Sequence, residues 1–309
     1  ITEIQAPENY SMGEERTYYF EVKKNQPRIY EINKTLEGTI NASDIVKLKD
    51  GSYVGIRVIE PILTIPAEDT VNNQEIQLTG IDDTPDIAII KYNSNLKVES
   101  VKQIGDNGYD WIYDIEVTED GGYVITGEIT GEVSIENGEV KVSTENGYYD
   151  GAVIIKYNSQ GKAESINKID PMDEDTFIYH HKIQETREGN FIVIGYSDRE
   201  IVIPENKTVN NEEIVISNGE YIAEITQEGK IKWMKNIEGD YNYDNTKIYE
   251  VDNGNYIMAP DIYSNPVYFE ISSNSGTIIR EHNVEELSNI FNWDKMMELF
   301  DIELSLDGG

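Results

Sequence analysis

Oxygen-bearing side chains alternate with aromatic ones in three acidic segments of the chain. In the third of these segments, Asp240, Asn242 and Asp244 place side-chain oxygens at every second position. Hard cations such as Ca²⁺ bind several carboxylate and amide oxygens, so these residues are a candidate metal site. The glycine and the distal glutamate of a complete calcium loop are missing. We therefore predict no obligatory cofactor, with calcium as the one metal that the sequence suggests.

Aromatic rings beside carboxylates favour sugar binding, because a ring stacks on the sugar while a carboxylate accepts hydrogen bonds from its hydroxyls. The same segments and the strands that follow them supply both kinds of side chain. The candidate ligand-binding residues are Trp111, Tyr113, Asp114, Tyr179, His180, His181, Asp44 and Tyr243. Adjacent side chains of a strand point to opposite faces, so His180 and His181 are not expected to share a metal. We expect one of the two rings to pack between sheets and the other to face a channel or a neighbour.

Three aspartates, Asp44, Asp114 and Asp301, occupy one position of a repeated pattern, and Lys182 and Lys247 take that position in the other repeats. A carboxylate pair is the catalytic device of glycosidases, so these aspartates are the candidates for that activity. Carboxylates at a repeated position are also typical of structural hydrogen bonding to backbone. The sequence contains no nucleophile elbow, zinc-protease or phosphate-loop motif. It leaves the question of enzymatic activity open and favours a non-catalytic protein.

The charge balance restricts the partners. The chain has 25 Lys and Arg against 59 Asp and Glu, a net charge of −34. Affinity for nucleic acid and for anionic membranes rests on Lys and Arg, so neither is expected as a partner. The chain has no cysteine, and no apolar run approaches the length of a membrane span, so we expect no membrane insertion.

A tight-turn signal orders the elements that carry these residues. At five places a glycine follows Asp, Glu or Asn, and an isoleucine stands six residues before each glycine. The glycines are Gly51, Gly121, Gly189, Gly254 and Gly308. Repeats of this length built from short strands indicate a propeller or a solenoid.

Each repeat divides into four short strands, which we name A to D. In the second repeat they are predicted at Tyr113–Glu119, Tyr123–Ile129, Ala152–Tyr157 and Ala163–Ile169. Four antiparallel strands joined by tight turns make one propeller blade. The predicted fold class is therefore all-β, a β-propeller of four-stranded blades.

The blade count is five if the two ends of the chain combine. Residues 1–38 resemble a blade without its strand A, and residues 301–309 supply a strand A, so pairing them closes a ring without exposed edges. The single domain, residues 1–309, then comprises blade 5 from 301–309 plus 1–38, blade 1 at 39–105, blade 2 at 106–170, blade 3 at 171–239, blade 4 at 240–282 and a helical insert at 283–299. The alternative is a fragment of a larger propeller.

Two kinds of insertion elaborate one end of the predicted blades. Three units insert a further hairpin between strands B and C, and the copies at 63–73 and 201–211 are nearly identical, which indicates repeat scaffolding. In the insert at 283–299, Trp293 and Met297 belong to an apolar face with helical spacing. That helix is predicted to be a lid on the ring or, alternatively, a partner-binding helix.

The motif that runs from Asp150-Gly151 through the strand to Lys156 and on to Asn158-Ser159-Gln160-Gly161 resembles bacterial surface β-propeller repeats of the SBBP type. The resemblance implies an extracellular or cell-surface protein and supplies no catalytic residues. It covers nearly the whole chain, but the family is described as seven-bladed.

The leading functional expectation is a non-catalytic exported module whose elaborated end binds a glycan or a protein. The alternatives are a glycosidase that uses the repeated aspartates and a structural spacer in a large surface protein. We expect a monomeric domain within a larger chain.

Overall fold

The computed structural model describes residues 45–80, 84–105, 108, 110–130, 133–135, 140–142, 150–169, 176–237, 242–251, 253–261 and 268–282. These residues form an all-β structure of four four-stranded and three two-stranded antiparallel sheets. Two short 3-10 turns, Ala67–Asp69 and Glu205–Lys207, are the only helical segments among them.

The strands follow the predicted repeat. The first unit contains β1 (Ile45–Lys47), β2 (Tyr53–Ile59), β3 (Ile62–Ile65), β4 (Ile76–Thr79), β5 (Asp86–Tyr92) and β6 (Val98–Ile104). The second contains β7 (Asp110–Val117), β8 (Tyr123–Thr130), β9 (Val133–Ile135), β10 (Val140–Val142), β11 (Asp150–Tyr157) and β12 (Ala163–Ile169). The third contains β13 (Ile178–Glu185), β14 (Phe191–Ser197), β15 (Ile201–Ile203), β16 (Ile214–Ile216), β17 (Gly219–Ile225) and β18 (Ile231–Asn236). The fourth contains β19 (Asn242–Glu250), β20 (Tyr256–Asp261), β21 (Tyr268–Ile271) and β22 (Ile278–His282).

Sheets 1 to 4 each pair their strands A, B, C and D in chain order, as β1-β2-β5-β6, β7-β8-β11-β12, β13-β14-β17-β18 and β19-β20-β21-β22. The A–B turns have the backbone that the repeated glycine predicts, with φ between 78° and 85° at Gly51, Gly121, Gly189 and Gly254. Glycine adopts this left-handed region without steric cost. The four-stranded antiparallel units are therefore confirmed in the described residues.

Consecutive sheets pack face to face. Separate apolar clusters fill the gaps between sheets 1 and 2, sheets 2 and 3, and sheets 3 and 4. Strand A of each sheet also contacts strand A of the next, through the pairs β1 and β7, β7 and β13, and β13 and β19. Strands B and C of the inner sheets are nearly continuous apolar runs, and because successive side chains point to opposite faces, both faces of these sheets are buried.

Carboxylates on the A strands bind the backbone of the preceding sheet at a repeated position. Glu185 Oε2 accepts a hydrogen bond from the Glu119 N–H, and Glu250 Oε2 accepts one from the Arg187 N–H, both at 2.7 Å. Both acceptors stand two residues after the aligned isoleucine of their repeats. Between sheets 1 and 2, where this position holds no carboxylate, Lys49 Nζ donates to the Glu119 carbonyl instead.

A charged residue in strand C stabilises the A–B turn of its own sheet. In sheets 1 and 2 this residue is a lysine, and Nζ of Lys91 and Lys156 lies 3.9 Å and 3.2 Å from the turn carboxylates of Asp50 and Asp120. The Lys156 ammonium also binds Glu185 of sheet 3 at 3.0 Å. The same lysine therefore connects a turn with the neighbouring sheet.

In sheet 3 the charged residue of strand C is an acid, Glu224, instead of a lysine. Glu224 is fully buried and accepts hydrogen bonds from Asn190 Nδ2 at 2.8 Å, Lys232 Nζ at 2.9 Å and Trp233 Nε1 at 3.0 Å. The turn of sheet 3 keeps a carboxylate, Glu188, before its glycine, and this carboxylate lies 3.5 Å from Lys232 Nζ, while the amide donor Asn190 stands directly after that glycine. The turn of sheet 3 therefore offers a hydrogen-bond donor to the carboxylate of strand C.

The predicted hairpin insertions are confirmed as β3–β4, β9–β10 and β15–β16. In the first and third, the tip of the hairpin reaches strand D of its own sheet. The Val71 N–H donates to the Val98 carbonyl at 3.1 Å, and the Val209 N–H donates to the Ile231 carbonyl at 2.9 Å. The two copies make the same contact with their sheets, which supports the interpretation as scaffolding.

Several predictions fall on residues outside the described ranges. These are the combination of residues 1–38 with 301–309 into blade 5, and the helix at 283–299. The ring and the blade count therefore stay predictions. Within the part of the chain that the structure describes, no helix is long and apolar enough to cross a lipid bilayer.

Candidate functional site

A β-bulge shapes the start of strand A in sheets 2 and 3. The strand register shifts between Ile112 and Asp114 in β7, and between His180 and Lys182 in β13. The extra residues are Tyr113 and His181, which both stand two positions before the aligned isoleucine. A bulge re-aims side chains and is common beside functional sites.

Two glycines of strand B make room for these bulges. A Cβ atom on Gly127 would lie 1.9 Å from the Trp111 carbonyl oxygen, and one on Gly195 would lie 2.5 Å from the Tyr179 carbonyl oxygen. No side chain fits at such distances, so the two glycines allow the bulged backbone to lie against strand B. The bulges bring aromatic side chains of the two A strands together.

Three tyrosines and one histidine of strands β7, β13 and β14 form a cluster. The Tyr179 ring lies at its centre, with ring centroids 5.1 Å from Tyr113, 5.8 Å from Tyr196 and 5.9 Å from His181. The three tyrosines are half-buried. Together with Glu128 and Glu220, these four residues are called the tyrosine cluster below.

Two carboxylates hold the polar ends of this cluster. Tyr113 Oη donates to Glu128 Oε1 at 2.9 Å, and His181 Nε2 lies 2.9 Å from Glu220 Oε2. Glu128 is buried, whereas a quarter of the Glu220 side chain is exposed to solvent. The cluster combines partly exposed aromatic surface with hydrogen-bond acceptors, which suits a ligand that carries both apolar faces and polar hydrogens.

The register of the sheets explains how distant residues meet here. In sheet 3, Tyr179 pairs with Tyr196, and Tyr196 pairs with Glu220, so these three side chains form a row across strands A, B and C. In sheet 2, Trp111 pairs with Glu128. All of them lie where the A strands begin and the B strands end, which is the elaborated end of the sheets.

His180 lies on the opposite face of sheet 3 from His181. Its ring is fully buried and meets the Tyr221 ring edge to face, with centroids 6.0 Å apart. Burial and the neighbouring His181 lower the pKa of His180 to about 3, and the Val153 carbonyl opposes this shift only weakly. The expected separation of the two rings is confirmed, and His180 does not face solvent.

Asp114 connects the A strands of sheets 2 and 3. It is buried and accepts hydrogen bonds from the Ile183 N–H at 2.9 Å and from Lys182 Nζ at 3.3 Å. Burial raises the pKa of Asp114, and the Lys182 ammonium opposes that rise. Asp114 and Lys182 occupy the same register position in consecutive repeats, so this contact has the structural character expected of a repeated carboxylate.

The other sequence candidates are only partly described. Asp44, Asp240 and Asp301 lie outside the described residues. Asn242, Tyr243 and Asp244 fall within β19 rather than in a loop, and Trp111 is half-buried on β7. No group of three or more His, Asp or Glu that could hold a metal occurs in the described ranges. The calcium site involving Asp240 stays a prediction.

Three residues of the cluster were missed by reasoning from sequence, namely Glu128, Tyr196 and Glu220. They lie on strands B and C, and only the pairing of strands places them beside strand A. The pairing of Trp111 with Glu128 could have been derived from the turn at Gly121. Counting residues outward from that turn along strands A and B, with one extra residue in strand A for the bulge, places Trp111 opposite Glu128.

No family model and no curated protein matches the chain, so the resemblance to SBBP-type repeats has no family match behind it. Among solved structures, the chain is similar to a protein of unknown function from Bacteroides caccae, at 11% identity and a TM-score of 0.36, with 68% of this chain and 65% of that chain covered. It is similar to a protein of unknown function from Dyadobacter fermentans at 9% identity and a TM-score of 0.43, covering 78% and 67%. It is also similar to the Pseudomonas aeruginosa periplasmic gluconolactonase at 9% identity and a TM-score of 0.34, covering 75% and 81%. The chain thus spans 65% of the length of the first of these proteins. Likeness at these levels does not establish a function.

Proposed function

We propose that this chain is a non-catalytic, exported or cell-surface β-propeller that binds a glycan at the elaborated end of its sheets. The observation that carries the proposal is the tyrosine cluster. Three half-buried tyrosine rings and two carboxylates lie together at the elaborated end of sheets 2 and 3. Tyrosine offers rigid amphipathic contact area at a low entropic cost, which suits the alternating apolar faces and hydroxyl edges of sugars.

The propeller architecture is part of the same proposal. Four sheets that pack in succession, with their A strands in contact, support this architecture, because the blades of a propeller also pack in succession. Closure by a fifth blade would place the A strands around one axis and the D–A and B–C connections at one end. Export follows only from the resemblance to surface repeats.

The contacts of Asp114 support the non-catalytic form of the proposal. A glycosidase needs two carboxylates that face the scissile bond across an open site. Asp114 is instead buried between a backbone N–H and a lysine of the next sheet. The alternative that we rank second is a glycosidase, in which Asp44 or Asp301 would supply the other carboxylate.

Replacement of Tyr179 by alanine is expected to weaken glycan binding by about tenfold or more, because a central aromatic anchor typically dominates an interface. The measurement is a glycan array, followed by titration of the best-bound oligosaccharide to native protein and to Tyr179→Ala. Tyr249→Ala is the matched control, since Tyr249 is also half-buried and lies near the other end of strand A in sheet 4. Array spots that bind native protein and Tyr179→Ala equally, or no bound glycan at all, would contradict the proposal.

A further inference from the structure

We infer that the tyrosine cluster selects a glycan that bears protonated amines, such as a glucosamine oligomer, over neutral and uronate-bearing glycans. This inference rests on the glycan-binding function proposed above and names the class of sugar. It follows from two properties of the cluster, which are its aromatic rings and the position of Glu220. A third property is the negative electrostatic potential of the whole chain.

The rings provide the first contribution. The centroid of the half-buried Tyr179 ring lies 5.1 Å from that of Tyr113 and 5.8 Å from that of Tyr196, so three aromatic quadrupoles meet around Tyr179. The face of a tyrosine ring attracts a cation, and an ammonium group near an exposed ring gains a factor of roughly two to five in affinity. A neutral acetamido group has no such attraction, although it stacks on the same surface.

Glu220 provides the second contribution. Its carboxylate is 25% exposed at the side-chain level, lies directly across the strand from Tyr196, and contacts His181 through Oε2. A carboxylate held in place by the sheet and by His181 is a preorganised partner for an ammonium group. The same carboxylate repels the uronate groups of an acidic glycan.

The negative electrostatic potential of the whole chain provides the third contribution. A net charge of −34 draws cationic ligands toward the surface and disfavours anionic ones. This effect is not specific to one site, so a test must separate the cluster from the general charge. Salt separates them in part, because exposed charges further apart than about 8 Å are screened at physiological ionic strength.

The test compares three oligosaccharides by titration at pH 6 and physiological ionic strength. They are a β-1,4-linked glucosamine oligomer, the N-acetylated oligomer of the same length, and a galacturonic acid oligomer. We expect the amine-bearing oligomer to bind at least about fivefold more tightly than its acetylated counterpart, and the uronate to bind most weakly.

Variants with equal charge identify the cluster as the cause. Glu220→Gln and Tyr179→Ala are expected to abolish most of the preference for the amine. Glu228→Gln removes the same charge from the exposed C–D turn of sheet 3 and should leave the preference intact. Equal binding of the amine and acetylated oligomers would overturn the inference while leaving the glycan function in place. A preference that Glu228→Gln reduces as much as Glu220→Gln would also overturn it, and binding of none of the three to native protein would count against both proposals.

Discussion

Acidification from pH 7 to pH 4.5 is expected to lower the free energy of unfolding by roughly 2.5 kcal/mol through His180 alone. Burial, with a smaller contribution from His181, lowers the pKa of His180 to about 3. An unfolded histidine titrates near pH 6.5, so between these two values the unfolded chain binds more protons than the folded one. Stability from this group is therefore complete above pH 6.5 and is lost as the pH falls toward 3.

The measurement is urea unfolding of native protein and of His180→Leu across this pH range. Leucine has a similar volume and does not titrate, so the variant should lose much less stability on acidification than the native chain. The relief of repulsion among carboxylates is common to both proteins and cancels in the comparison. His181→Gln is the control, because His181 lies on the other face beside Glu220. Parallel pH profiles for native protein and His180→Leu would show that this ring is not held neutral in the fold.

Replacement of Glu224 by leucine is expected to destabilise the chain by about 3–5 kcal/mol, the range for removal of one partner from a buried ionic network. The substitution leaves the Lys232 ammonium and the Asn190 amide without this acceptor, while Trp233 Nε1 retains the Ser273 carbonyl at 2.8 Å. The measurement is the free energy of unfolding from denaturant titration at neutral pH.

The same position in sheet 4 provides the control. Glu270 accepts hydrogen bonds from Asn253 and Asn255 and is only half-buried. Glu270→Leu removes acceptors from neutral, more exposed donors, and we expect a cost of about 1 kcal/mol. Equal losses for the two variants would mean that burial and the lysine of sheet 3 do not distinguish the two positions.

Strands and turns were predictable because they depend on local chemistry. Strand D of the second unit, Ala163–Ile169, has the predicted bounds, since alternating apolar residues and flanking turns define it. The turn glycines have the predicted backbone, and the inserted hairpins occur where the repeats diverge in length. These features require only the period of a strand and the conformational preference of glycine.

The candidate site was less predictable because it depends on strand pairing. Tyr113, Tyr179 and His181 were named from sequence and meet in one cluster. The bulges that bring these side chains together add one residue to strand A. In the sequence, the only mark of each bulge is a glycine on strand B, Gly127 or Gly195, which belongs to no turn. From the sequence, Asp114 was a candidate for catalysis, although repeated carboxylates are more often structural, and its buried contacts with sheet 3 have the structural character.

The most direct measurement is a crystal structure of this chain with the oligosaccharide that binds it best on the array. The account predicts a sugar ring against Tyr179 and Tyr113, with a hydrogen bond or ion pair to Glu220. A sugar bound at the A–B and C–D turns, or placed for cleavage against Asp114, would contradict it.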